Sequence, residues 1–216
     1  MNKEWSELNK TMQAQIKKKD TYKMGIDTLF NLRRQLMQTL VSFKEDLCRE
    51  DFNAIPFINA DGYHSKTIAY SIWHIFRIED IVAHTVITED EQVFFTGNYQ
   101  VRINSPIITT GNELVKQQIA DFSKQLNLEE LYSYIFEVRE STEKILERFS
   151  YDELKWKIPD ERKGYLKSLN VVNCDEKAIW LIDYWCSKDI RGLIQMPFSR
   201  PVSYTHLRAH ETRSNL

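Results

Sequence analysis

Two of the 5 histidines, His206 and His210, stand four residues apart, one helical turn, which is how a helix offers two imidazoles to a single metal ion. Two more, His74 and His84, share the stretch "KTIAYSIWHIFRIEDIVAHTVI" with Glu79, a carboxylate set among isoleucines and valines. An interior carboxylate needs a partner, because burial of an unpaired charge is costly. Cysteine chemistry is less promising. Cys48, Cys174 and Cys186 are odd in number, widely spaced and without a CxxC, so neither a disulfide framework nor a zinc knuckle is indicated. Cys186 has no histidine near it in sequence and reads as a small buried hydrophobe rather than a nucleophile.

The elements that must position these groups are helical. Gly and Pro are few, and apolar residues recur at a period of 3.6. A polar first helix of about four turns is followed by a long one over 21–48, striped by Ile26, Leu29, Leu36, Leu40, Phe43 and Leu47. Pro56 and Asp61-Gly62 break the pattern, and Ser65 is placed to cap a helix over 66–88. The next stretch is an irregular crossover punctuated by Gly97, Pro106 and Gly111, in which "YQVRI" suits a short extended segment. A short helix over 113–124 precedes one over 128–149, opened by Asn127 and Glu130 and striped by Leu131, Ile135, Val138, Thr142, Ile145 and Phe149. A last helix is expected over 175–194, with Asp175 and Glu176 where the dipole favours acids. The fold class is therefore all-α, an antiparallel bundle of long helices in one domain.

A wheel of 66–88 gathers Ile68, Ile72, Ile75, Val82 and Val86 on a core face, with Tyr70, Trp73, Arg77, Asp80 and His84 opposite on a wetter one. It predicts His84 exposed in a charged row. His74, beside Ser71 and Ile78 at the edge of the apolar arc, should point into a seam between helices. Glu79 lies inside the arc. Its expected partner is Arg33, which interrupts the stripe of the preceding long helix, and the alternative role is to orient a metal ligand. Trp73, Trp180, Tyr184 and Trp185 suit either core or the lining of a cavity.

With 29 basic and 31 acidic residues, the chain has no electrostatic footprint for nucleic acid. No apolar run approaches membrane-spanning length, so a soluble protein of a reducing cytoplasm is expected. The carboxyl end has a different origin. Back-translated, "PVSYTHLRAHET" resembles in one frame a widely used transposase-based sequencing adapter, and the match continues to Leu216. Residues 201–216 are read as a non-native tail, and 1–200 as the domain. His206 and His210 then carry no chemistry of evolutionary origin.

"KTIAYSIWHIFRIEDIVAHTVI" resembles the second helix of the DinB-like family, where an equivalent histidine is the first metal ligand, and His74 falls on that position. "DEKAIWLIDYWCSKDIRGLIQMPFSR" is similar to a second segment of the same group. The resemblance implies a four-helix bundle holding a divalent metal, zinc or nickel, through His74 and two histidines on a last helix. In this subgroup that pair directly follows the residue matching Arg200. Adapter sequence starts there, so the resemblance implies that the native last helix is missing and that this chain binds metal weakly and is less stable than its parent. The implied activity of the intact protein is thiol-dependent transfer or isomerisation, with a low-molecular-weight thiol as the small-molecule partner. A homodimer is left open. The competing expectation is a non-catalytic helical module, stress-associated or partner-binding, in which His74 only fills space.

Overall fold

The computed structural model describes residues 3–55, 59 and 65–199. The first two elements, α1 (Lys3–Gln15) and α2 (Tyr22–Asp46), form a helical hairpin. Its seam is made by Met12 and Ile16 from one side and Leu29, Leu32, Leu36, Leu40 and Phe43 from the other, all buried. The corner depends on Gly25, because a Cβ there would meet Ile16 Cγ2 at 2.4 Å and the Ile16 backbone N at 2.8 Å. A short α3 (Arg49–Asn53) seats Phe52 in the core.

Next comes α4 (Ile68–Asp80), which runs on without interruption into a π-helix over Ile81–Thr88. Its cap is not the expected Ser65 but Thr67, whose hydroxyl accepts from the Tyr70 backbone N at 3.0 Å. The crossover is more regular than expected. It holds α5 (Val93–Thr96) and α6 (Tyr99–Ile103), so "YQVRI" is one helical turn and not an extended segment. Asn98 (φ 52°) and Asn104 (φ 58°) bound that turn in the left-handed region, which asparagine tolerates well, and among the described residues no strand lies beside it to reward extension.

Beyond the crossover are α7 (Gln117–Gln125) and α8 (Leu128–Arg148), the latter capped as expected by Asn127, which accepts from the Glu130 backbone N at 3.4 Å. A 3₁₀ turn over Glu153–Lys155 leads to α9 (Glu161–Ser168), a mostly polar helix that gave no sequence signal. The helix expected over 175–194 is divided into α10 (Glu176–Cys186), α11 (Ile190–Leu193) and a π turn over Ile194–Phe198. The break has a cause. Asp189 bridges to Lys157, the Ile190 backbone N donates to Trp156 O at 3.1 Å, and Asp189 Oδ1 caps α11 by accepting from the Gly192 backbone N at 2.7 Å. The chain is pinned sideways before the helix can continue.

The described residues are all-helical, without a strand, and none of their helices is long and apolar enough to cross a membrane. At the centre lies α4, packed against α3, α5, α7, α8 and the last π turn. Trp73 sits among Phe94, Phe122 and Tyr134, with ring centroids at 5.3, 5.5 and 6.2 Å. Trp185 is also core, whereas Trp180 is 48% exposed and stacks edge-on with Tyr184.

Candidate functional site

His74 projects from the middle of α4 and is partly buried. Its Nδ1 lies 2.7 Å from the Thr110 carbonyl oxygen. A carbonyl only accepts, so Nδ1 carries the hydrogen, and in the neutral ring the lone pair is on Nε2. Tyr70, one turn earlier, stacks on the imidazole at 5.5 Å and 10° and donates its hydroxyl to Gly111 O at 2.9 Å. Two adjacent carbonyls of the crossover are thus held by two side chains of α4. Gly111 makes this turn at φ 76°, where a side chain would be strained. The buried indole N–H of Trp73 has no partner among the described residues and lies 3.8 Å from where a Gly111 Cβ would be. Lys66 stands over the Tyr70 ring at 5.1 Å. Burial lowers its ammonium below the ordinary range, and Lys177 pushes the same way.

The row opposite the apolar arc is not wet. Arg77, Asp80 and His84 are all buried, which corrects the expectation of an exposed His84. The physical reason is the crossover, which lies over this face and supplies partners. Arg77 donates to Ile108 O (2.8 Å) and Gln92 Oε1 (2.6 Å) and packs on Phe94 with 4.3 Å from Cζ to the ring centroid. Asp80 accepts from the backbone N–H groups of Val93 and Phe94, both at 2.9 Å, and from the Tyr134 hydroxyl at 2.8 Å. Burial raises its carboxyl above the ordinary range against the opposing pull of Arg77, His84 and these donors. His84 is held at Nδ1 by Asp90 (2.7 Å) and at Nε2 by Ser141 Oγ (2.9 Å).

Glu79 meets the partner the sequence offered. Arg33 grips it by donating two bonds of 2.9 and 2.6 Å, and donates a third from Nε to Glu143 of α8 at 3.3 Å. Both oxygens of Glu79 face α2, so the structural ion pair accounts for it. Cys186 is buried, and that burial raises its thiol, which disfavours the thiolate a nucleophile needs. His206 and His210 lie outside the described residues. Sequence reasoning missed Thr110, Gln92, Asp90 and Ser141. Only Asp90 carried a signal, since an acid just past a helix end can fold back on it.

As a metal centre, the described part is one donor with its orienting carbonyl. Among the described residues no three His, Cys, Asp or Glu side chains converge as a metal would require. One imidazole does not hold zinc or nickel tightly. Compared with known proteins, the chain matches no family model, and no curated protein matches it.

Proposed function

We propose that this chain belongs to a DinB-like four-helix bundle that binds a divalent metal, zinc or nickel, with His74 as a ligand through Nε2. The observation that carries the reading is the 2.7 Å bond from His74 Nδ1 to Thr110 O. Metal-binding histidines characteristically give their other ring hydrogen to a carbonyl or carboxylate, which fixes tautomer and ring orientation. The stacked Tyr70 adds a second restraint on the ring. By the resemblance, the two further ligands are histidines of the native sequence beyond the position of Arg200, where adapter-like sequence stands in this chain. A metal in such a site stabilises a bound thiolate, and the intact protein is proposed to transfer or isomerise a low-molecular-weight thiol adduct.

The test is calorimetric titration with zinc and nickel of three proteins: this chain, its His74→Ala variant, and a chain carrying the genomic sequence beyond Arg200. The third should bind one ion tightly, and His74→Ala within it should weaken binding by at least about 100-fold. This chain should bind weakly. A genomic-ended protein without metal affinity would leave the non-catalytic helical module as the better reading.

A further inference from the structure

We infer that Ser141 is an activated hydroxyl, an acceptor site for electron-poor acyl or phosphoryl centres, with His84 as its base and Asp90 as the group that orients the base. The inference is independent of the metal reading. It rests on three side chains from two stretches of chain, the π-helix with its following turn and α8, that meet with matched atoms. Ser141 Oγ lies 2.9 Å from His84 Nε2, and His84 Nδ1 lies 2.7 Å from Asp90 Oδ1. A carboxylate only accepts, so in the neutral ring Nδ1 carries the hydrogen and Nε2 accepts from the serine. This is the tautomer a base needs, and both distances fall within the reach of proton transfer.

The backbone builds the arrangement. The π-helix ends at Thr88, and Glu89 turns the chain back in the left-handed region at φ 61°. The Asp90 backbone N then donates to His84 O at 3.0 Å, which brings the carboxylate under the imidazole. Thr88 Oγ1 donates to the same Asp90 oxygen at 2.6 Å and fixes it. A π-helical turn costs hydrogen-bond geometry, and such turns occur frequently at functional sites. Access is available, since Ser141 is only partly buried and the Asp90 side chain is 55% exposed, while His84 behind them is 7% exposed.

The step is a simple displacement. Ser141 Oγ attacks the phosphorus of a fluorophosphonate, its proton passes to His84 Nε2, the new O–P bond takes an oxygen lone pair, and the P–F bond breaks with its electrons leaving as fluoride. The imidazolium so formed lies between Asp90 at Nδ1 and Asp80, whose Oδ1 is 4.0 Å from Nε2. Ser141 sits in the middle of α8, where backbone N–H groups are committed to the helix, so α8 offers no oxyanion hole. Base assistance alone supplies about 10² to 10⁴ in rate. The expected outcome is therefore stoichiometric capture, not rapid turnover.

The experiment incubates the full chain with a reporter-tagged fluorophosphonate and locates the adduct by peptide mass spectrometry. One adduct on Ser141 is expected, absent in Ser141→Ala, absent after thermal unfolding, and slowed at least about 100-fold in His84→Gln. Asp90→Asn, at an exposed position, should slow it less and serves as the second arm if His84→Gln does not fold by circular dichroism. No adduct on Ser141 overturns the inference, as does labelling of Ser141 at the parent rate in a folded His84→Gln or Asp90→Asn.

Discussion

Arg33 is held between Glu79 and Glu143, with 4% of its side chain exposed against 1% for Glu79. Burial pulls its guanidinium down, and the two carboxylates more than reverse this, so the net direction is above the ordinary value and the charge persists. Removing one partner of such a pair costs more than the pair contributes, because the remaining charge stays buried. Arg33→Met should destabilise by about 3–5 kcal/mol, and adding Glu79→Leu should recover most of the loss. Urea denaturation at constant slope checks both, and a single-variant loss below about 1 kcal/mol would show that water reaches Glu79. This pair was legible in the sequence because each member interrupts an apolar arc, and two interruptions facing one seam must answer one another. His84 was not legible. A wheel records which residues share a face but not what lies over that face, and here the cover is a distant carbonyl, two backbone N–H groups and Asp90.

At the scale of elements, the stripes in α2 and α8 were readable because each helix buries one face. The α4 boundaries were harder, because that helix is buried on every side and its period changes at Ile81, where π-helical bonding replaces α. The crossover was read as loose chain. It acts instead as the second wall of α4, with its own amides and carbonyls answering Arg77, Asp80 and His74. The start of α4 depends on Thr67, fully buried, whose Oγ1 caps Tyr70 and lies 2.6 Å from Ser123 Oγ of α7. Thr67→Ala loses the cap and leaves Ser123 Oγ with only its bond to Ile119 O at 2.7 Å, a cost of about 1 kcal/mol. Thr67→Ser keeps the oxygen and should recover most of it. Thermal melts of the two variants side by side decide the matter, and equal losses would assign the effect to the methyl group and not the cap.

Across the whole molecule, α8 is tied to three other parts of the fold by tyrosine hydroxyls. Tyr132 donates to Leu40 O of α2 at 2.6 Å, Tyr134 to Asp80 of α4 at 2.8 Å, and Tyr99 of α6 to Glu137 of α8 at 2.6 Å. Each ionises late. Burial, with Glu137 adding to it, pushes Tyr99 up to about 12, and burial likewise raises Tyr132 and Tyr134, with Glu129 and Asp80 respectively reinforcing it. A group whose pKa is raised on folding contributes stability that is fully present below its unfolded value, here 10.0, and is lost as pH rises towards the folded value. Within that window the unfolded chain has released the proton and the folded chain has not. Each well-buried tyrosine then removes up to about 1.4 kcal/mol per pH unit, so Tyr132 and Tyr134 together remove up to about 3, and Tyr99 adds less because solvent screens its hydroxyl. With a domain's total stability on the order of 5–15 kcal/mol, the molecule should unfold within a few units above pH 10. Tyr132→Phe should lower stability by about 1 kcal/mol at neutral pH, through the lost bond to Leu40, yet remove from the alkaline slope the share that Tyr132 supplies, up to about 1.4 kcal/mol per pH unit. Urea unfolding free energies at several pH values between about 9 and 11 measure both, since lysine titration is common to parent and variant and cancels in the difference. An unchanged slope in the variant would mean that Tyr132 ionises while the protein is folded, and that α2 and α8 part locally before the rest of the fold gives way.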